Sequence, residues 1–285
     1  MPHITLHPAL DNFIVAYDWP GLMADAGRRG ALIDDFESGR VVVIGNHSIR
    51  PDYDLLNRFA LPDDRVRKLG DRFLTVPRLH RRADRTFLLQ QFAHRPLFYL
   101  RLRREVLRVS ADLNRLADAL FPDYRFVRRE VSWRFSPTGP EEMHIDSFGR
   151  DDDRQYVRFF LNVDSEPREW AVGPRLDELT ARYYETAGLA DLKDRSGNAY
   201  CRAINRHVYD GPDGAGMARH RISFRQGELW LCDSRLVSHQ IVRGRRLVAT
   251  HLAALPEGMR DPSRRVDARV AAYHAAWSDD RQAAD

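Results

Sequence analysis

Apolar residues recur at three- and four-residue intervals through 96–120: Leu97, Leu100, Leu102, Val106, Val109, Leu113, Leu116 and Leu120. That spacing predicts a helix opening on Pro96, where the missing N–H costs nothing, and stopping at Phe121-Pro122. Helical spacing also covers 31–36 and 52–59, while Gly39-Arg-Val-Val-Val-Ile-Gly predicts a short buried strand bounded by glycines. From residue 124 the period changes. Segments 124–135, 155–163, 220–225, 227–232, 239–242 and 245–255 are predicted strands, separated by Gly, Pro, Asp and Asn. Segment 174–187 reads as a helix or a long insertion, 262–277 as a closing amphipathic helix, and 279–285 as a fraying tail.

This order predicts one domain over 1–285, α+β with a mainly β core. A helix-rich part (1–123) precedes a double-stranded β-helix, or jelly roll (124–255), and a C-terminal helix and tail (256–285) close it. Composition narrows the setting. No apolar run approaches the 18 or so residues of a membrane span. The first residues carry no basic segment followed by an apolar one, as a secretory signal would. Cys201 and Cys232 belong to no CxxC pair, so a thiolate metal site is not expected, and a cytoplasmic location fits.

Lys68 and Lys193 are the only lysines, so almost all positive charge is arginine. Arginines cluster over 78–85 and 101–108. A solvated helix face explains such clusters, and so does a patch facing an anionic membrane surface or an acidic substrate. Nucleic acid is not the expected partner.

The chemistry concentrates in Trp133-Arg-Phe-Ser-Pro-Thr-Gly-Pro-Glu-Glu-Met-His-Ile-Asp-Ser-Phe, which contains His144 and Asp146. Residues two apart on an extended segment point to the same side, so both can ligate one ion. A second histidine, His239, opens a predicted strand far downstream, and strands distant in sequence meet in a jelly roll. Two imidazoles and one carboxylate hold Fe(II) on one face and leave open positions. A bare His-x-Asp is equally a loop histidine beside a turn-capping aspartate. Catalytic zinc accepts the same ligands, but no general base accompanies them here.

Arg246, with Arg245 as its alternative, and Arg158 are candidates for an anion seat. If Arg246 points into the barrel, Val248, Thr250 and Leu252 do too, and an arginine fork beside a threonine hydroxyl suits a carboxylate. The opposite register turns Arg245 and His251 inward instead. Tyr156, Arg158, Phe160 and Asn162 share one face of their predicted strand, which either lines a cavity or meets solvent.

The pattern of His-x-Asp, a long gap, a distal His and a basic residue on the next strand resembles the Fe(II)/2-oxoglutarate-dependent dioxygenases. Arg154-Gln-Tyr-Val-Arg-Phe-Phe-Leu-Asn and Glu228-Leu-Trp-Leu-Cys-Asp-Ser-Arg-Leu-Val-Ser-His-Gln-Ile resemble its prolyl-hydroxylase-type members. Ser136-Pro-Thr-Gly-Pro-Glu-Glu-Met-His-Ile-Asp-Ser-Phe, with the helical N-terminal part, is similar to bacterial hydroxylases of 3-deoxy-D-manno-oct-2-ulosonic acid (Kdo), a sugar of the lipopolysaccharide inner core. The resemblance implies Fe(II) on His144, Asp146 and His239, with 2-oxoglutarate and O2 as cosubstrates. It places the far carboxylate of 2-oxoglutarate on Arg246, and the strand alternation adds Thr250 beside it and Arg158 as further candidate cosubstrate contacts. Trp133 and Arg134 become candidate substrate contacts. A Kdo-containing lipid or another anionic small molecule becomes the expected substrate, met at the cytoplasmic face of an anionic membrane. A protein or small-molecule hydroxylase of the same fold, and an iron-free jelly-roll module for acidic ligands, fit the same residues.

Overall fold

The computed structural model describes residues 1–61, 69–70, 74, 77, 79–148, 154–192, 196–211 and 213–284. Lys68, Arg78, Lys193 and the last residue of the tail lie outside the described residues. Among the described residues ten strands form one curled sheet: β1 (His3–Thr5), β2 (Ile14–Asp18), β3 (Val41–Gly45), β4 (Leu69–Gly70), β5 (Phe126–Thr138), β6 (Gln155–Asn162), β7 (Arg168–Arg175), β8 (His220–Phe224), β9 (Leu229–Cys232) and β10 (Val237–Ala254). The longer helices among the described residues are α1 (Trp19–Ala24), α2 (Ala26–Glu37), α3 (Tyr53–Asn57), α4 (Arg82–Phe92), α5 (Pro96–Leu120), α6 (Leu176–Tyr183), α7 (Gly197–Ile204) and α8 (Val266–Ala284).

The sheet closes because β10 serves both halves of it. Its first part pairs with β7, with His239 opposite Val172 and Ile241 opposite Trp170. Past Gly244 it pairs with β5 on one side and β6 on the other. The two strands expected over 239–242 and 245–255 are therefore one bent strand. The β1-β8-β7 layer and the β5-β10-β6-β9-β3-β2 layer face each other, and helices cover both outer surfaces. This is a jelly roll in an α+β fold.

Three apolar layers hold it together. The inner one includes Val41, Val43, Phe160, Trp170, Val172, Trp230, Leu247 and Ala249. One outer layer packs α2, α3 and α5 on the larger sheet through Phe36, Phe59, Val106, Leu113, Trp133, Val157, Phe159 and Val248. The other packs α6, α7 and α8 on the smaller sheet through Leu176, Leu179, Ile204, Val266 and Val270. Helix α5 spans the range its periodicity predicts, and Leu102, Val106, Val109 and Leu113 are its buried stripe. Each such side chain contributes roughly 1.5–3 kcal/mol by leaving water. Leu97 and Leu100, which belong to the same spacing, face outward instead.

Other elements depart from expectation. Strands β1 and β2 join the sheet from a region where only β3 is predicted, and β7 is a strand that the sequence pattern does not announce. The helix expected at 31–36 begins at Ala26, where Asp25 accepts from the N–H groups of Gly27 and Arg28. The backbone of α8 stays helical to Ala284, through most of the tail expected to fray.

The register of β10 corrects the seat proposed for Arg246 and Thr250. Val248 and Leu252 pack into the helix-covered outer layer, whereas Leu247 and Ala249 lie in the inner one. Arg246 and Thr250 share the outward side. The Arg246 guanidinium is filled by Asp164 at 3.2 Å, the carbonyls of Phe59 and Asn57 at 2.9 and 2.8 Å, and Asn57 Oδ1 at 3.2 Å. Thr250 Oγ1 accepts from the Phe159 N–H at 2.8 Å. Both are tied into the framework on the helix-covered side, away from the inner layer. Removing Asp164 strands a buried guanidinium, so Asp164→Ala is expected to cost about 3–5 kcal/mol in urea unfolding, while Mn(II) affinity of the folded protein stays unchanged.

Candidate metal centre

The segment after β5 runs alongside the start of β10. The His144 N–H donates to the His239 carbonyl at 3.0 Å, and the His239 N–H donates back at 2.8 Å. The Asp146 N–H donates to the Ser234 carbonyl at 2.9 Å. Alternation does the rest. Met143 and Ile145 turn outward into the layer under α6 and α7, and Asn205 clasps the Ile145 backbone at 2.9 and 2.7 Å. His144 and Asp146 therefore face inward. His239 shares its side of β10 with Val237 and Ile241 of the inner layer.

The structure brings these three residues together, with one ligand atom from each lying within 4.8 Å of the others. His144 Nε2 lies 3.6 Å from Asp146 Oδ1. Each Nδ1 donates to a carbonyl, that of His144 to Glu142 at 2.8 Å and that of His239 to Val237 at 3.0 Å. Carbonyls only accept, so this tautomer leaves both Nε2 lone pairs for a metal. Two nitrogens and one oxygen on a single side are the donor set of an open Fe(II) site.

The charges around this group are arranged for binding. Burial would raise the Asp146 carboxyl, but Arg158, His144, His239 and Ser234 together hold it well below the usual carboxylate range. Burial pushes His239 down to about 4. Burial also pulls His144 down, but the Asp146 carboxylate and the Glu142 carbonyl outweigh it and raise this imidazole. Ser234 Oγ donates to Asp146 Oδ2 at 2.6 Å, and Arg158 Nη1 contacts the same oxygen. Asp146 Oδ1 stays directed at the histidines.

Arg158 is thus a neighbour of the ligand group. It sits on the inner face of β6 with its guanidinium carbon 4.9 Å from the Phe160 ring centre and 5.9 Å from that of Phe148. The polar face of this strand lines the interior. His251 also points inward, packed on Phe148 and Tyr156 at 4.4 and 4.8 Å between ring centres. Burial, with Arg158 and Arg128 adding repulsion, pushes it down to about 3. The inward register is the one that carries His251, although Arg245 itself is exposed.

The two candidate substrate contacts part ways. Trp133 is fully buried under α5 with its indole N–H on Ser110 Oγ at 3.3 Å, so it is framework. Arg134 pairs across from Leu247 and faces inward, 3.3 Å from Glu141. His220 is also structural, held by the His7 N–H and the Asp11 carbonyl, each at 2.9 Å.

The residue that the sequence reading overlooks is Arg168. It shares a face of β7 with Trp170, whose ring stacks on His239 at 5.4 Å. Arg168 is fully buried, and among the described residues Nε, Nη1 and Nη2 have no hydrogen-bond partner. Burial, with Arg134 beside it, pushes this guanidinium down to about 9, against the pull of Glu141 and Asp164. It packs so closely on Gly244 that a Cβ there would stand 2.6 Å from Nη1. A buried cation with no partner is costly, and an anionic ligand removes that cost.

No protein-family model matches this sequence, and no curated protein matches it. Solved structures do. The Kdo hydroxylase KdoO, a non-heme Fe(II) alphaketoglutarate-dependent dioxygenase, superposes in its complex with succinate and Fe(III) with a TM-score of 0.64 at 14% identity, over 89% of this chain and 92% of that one. Its complex with alphaketoglutarate and Fe(III) gives 0.62 at 15% identity over the same shares, and its apo structure gives 0.63 at 14% over 89% and 93%. The chain shares their fold.

Loss of one of three ligands is expected to be severe. His144→Ala, Asp146→Ala and His239→Ala should each weaken Mn(II) binding, measured by calorimetry, beyond the roughly 10- to 100-fold typical of losing a supporting residue.

Proposed function

We propose that this chain is an Fe(II)/2-oxoglutarate-dependent hydroxylase acting on Kdo in a lipopolysaccharide inner-core or lipid A precursor. The observation that carries the oxygenase reading is the conjunction of an open His144/Asp146/His239 group with an unpaired buried arginine in the same interior. One side of the pair suits the metal, and the other suits the far carboxylate of a keto diacid. Bound Fe(II), with 2-oxoglutarate and O2, supplies the conversion of a substrate C–H to C–OH as 2-oxoglutarate becomes succinate and CO2.

The chain's own residues set the geometry. Arg168 takes the place that sequence reasoning gives to Arg246, and binds the far carboxylate through charge-assisted hydrogen bonds. Arg134 adds a second positive charge at that end, and Thr138 Oγ1 and Glu141 hold it in position. Trp170, Phe160 and Trp230 pack on one another in the same inner layer, with ring centres 4.8 to 5.5 Å apart. They keep water from the reacting groups and strengthen the electrostatics inside. Ser234 and Arg158 occupy one oxygen of Asp146, so the carboxylate offers the other.

The substrate reading rests on the likeness to KdoO and on charge. Kdo is a sugar acid, and Arg158 with the Phe148, Tyr156 and His251 rings gives one end of the interior a cation among aromatic faces. A surface feature also suits a lipid-borne substrate. Leu89, Leu97, Leu100 and Leu107 are 46–76% exposed on α4 and α5, and Arg82, Arg85, Arg101 and Arg104 are exposed on the same two helices. Leucines to enter the headgroup layer and arginines to meet anionic lipid are what peripheral contact with a negative leaflet requires. None of the described helices is long and apolar enough to cross a membrane.

Arg168→Met is expected to raise the KM for 2-oxoglutarate about a hundredfold or more, in line with loss of a buried charged contact, with Mn(II) affinity unchanged. An unchanged KM would remove Arg168 from the site. Mass spectrometry of lipopolysaccharide from cells with and without the protein tests the substrate. One added oxygen on Kdo is expected, and succinate release that depends on a peptide would instead indicate a protein hydroxylase.

A further inference from the structure

A second cavity lies away from the metal group. Strands β2 and β3 run parallel, with Tyr17 opposite Ile44 and Asp18 opposite Gly45, and α1 and α2 make the crossover between them. Beyond the carboxyl ends of these strands opens a cavity of about 650 Å³, lined in part by Tyr17, Arg28, Asn46, His47, Arg50 and Tyr53. Its size is that of a small-molecule site. Its place, the crevice outside the carboxyl ends of parallel strands, is where α/β crossovers bind ligands.

The unspent valences around it are of two kinds. His47 is 3% exposed. Its Nε2 donates to the Gly227 carbonyl at 2.8 Å, which leaves Nδ1 as a buried acceptor with no partner. That atom calls for a hydroxyl or amine donor. The second kind is positive charge. Among the described residues neither Arg28 nor Arg50 has a carboxylate partner, and Arg50 spends its guanidinium on the carbonyls of His47 and Ile49. The carboxylates that line the cavity are engaged. Asp18 accepts from Asn46 Nδ2 at 2.7 Å and from the Gly21 N–H at 3.3 Å. Glu228 takes the Met1 amino group at 3.1 Å and the Arg225 N–H at 2.7 Å. Asp18 keeps its charge, because both of its partners are neutral, so Arg28 and Arg50 together leave the lining with a net positive charge.

The backbone is unusual at the same spot. Asn46 holds a left-handed conformation at φ 54°, the one non-glycine to do so among the described residues. Such positions concentrate at binding sites.

We propose that this cavity binds a small hydroxylated phosphate ester, a sugar phosphate or a nucleoside monophosphate. Its phosphate lies against Arg28 and Arg50, and one of its hydroxyls donates to His47 Nδ1. Inorganic phosphate reaches the arginines without reaching His47. The site stands apart from the hydroxylase reading, since it shares no residue with the metal group.

Calorimetry on the full chain at fixed ionic strength tests this, with ribose 5-phosphate, AMP and inorganic phosphate as probes. At least one ester is expected to bind one-to-one with a Kd below about 1 mM, and inorganic phosphate at least about tenfold more weakly. Arg28→Gln changes an exposed side chain that lies over Gly21 of α1 and for which no side-chain hydrogen bond or ion pair is seen among the described residues, and should weaken the ester at least about tenfold. Arg50→Gln should do the same. His144→Ala should leave binding unchanged, which keeps this outcome independent of the metal site. The better ester identifies the body of the ligand. No saturable binding by either ester, equal affinity for inorganic phosphate, indifference to Arg28→Gln, or loss of binding in His144→Ala would each overturn the proposal.

Discussion

Strand β10 belongs to both layers of the barrel, and the period-two alternation along it decides what the interior contains. Its first half pairs with β7 and holds His239 beside the His144 backbone. Its second half, past Gly244, pairs with β5 and β6 and turns Leu247, Ala249 and His251 inward. The same alternation sends Arg246 and Thr250 to the helix-covered side. A one-residue shift would exchange every one of these placements. The placement of His239 in the metal group and of Arg246 outside it are both consequences of that register.

Buried arginines in this protein divide by partner. Arg246 has Asp164, and Arg235 has Asp233 at 3.2 Å with the Arg154 carbonyl at 2.9 Å. These two tie loops to strands, and their charge is spent. Arg168 shares their burial but lacks their partners. Such a charge is costly, and among the described residues Arg168 has no direct hydrogen-bond partner, only the more distant pull of Glu141 and Asp164. This difference in partnering, more than the count of arginines, separates framework from site.

Much of this was legible in the sequence. The helix over 96–120, the jelly-roll class and the His144/Asp146/His239 set follow from periodicity and spacing, because amphipathic helices and extended His-x-Asp segments have simple geometric signatures. Which arginines face the interior does not. β10 is buried on both faces past Gly244, so its residue pattern carries no cue about which side faces the barrel, and two registers fit equally. Arg168 was hidden for another reason. It follows Ser165-Glu-Pro, and its strand ends on Gly173-Pro174-Arg175, a stretch that reads as turns. Only the pairing with β8 and β10 makes it a strand. The inward polar face of β6, by contrast, was visible as an alternation, and tertiary structure was needed only to choose cavity over solvent.

The central claim, that one interior holds both a metal and a dicarboxylate, is tested most directly by anomalous diffraction from crystals grown anaerobically with Co(II) and 2-oxoglutarate. The account predicts a single metal peak bounded by His144 Nε2, Asp146 Oδ1 and His239 Nε2, with the far carboxylate of 2-oxoglutarate on Arg168. Metal bound elsewhere, or a carboxylate that leaves Arg168 unpaired, would contradict it.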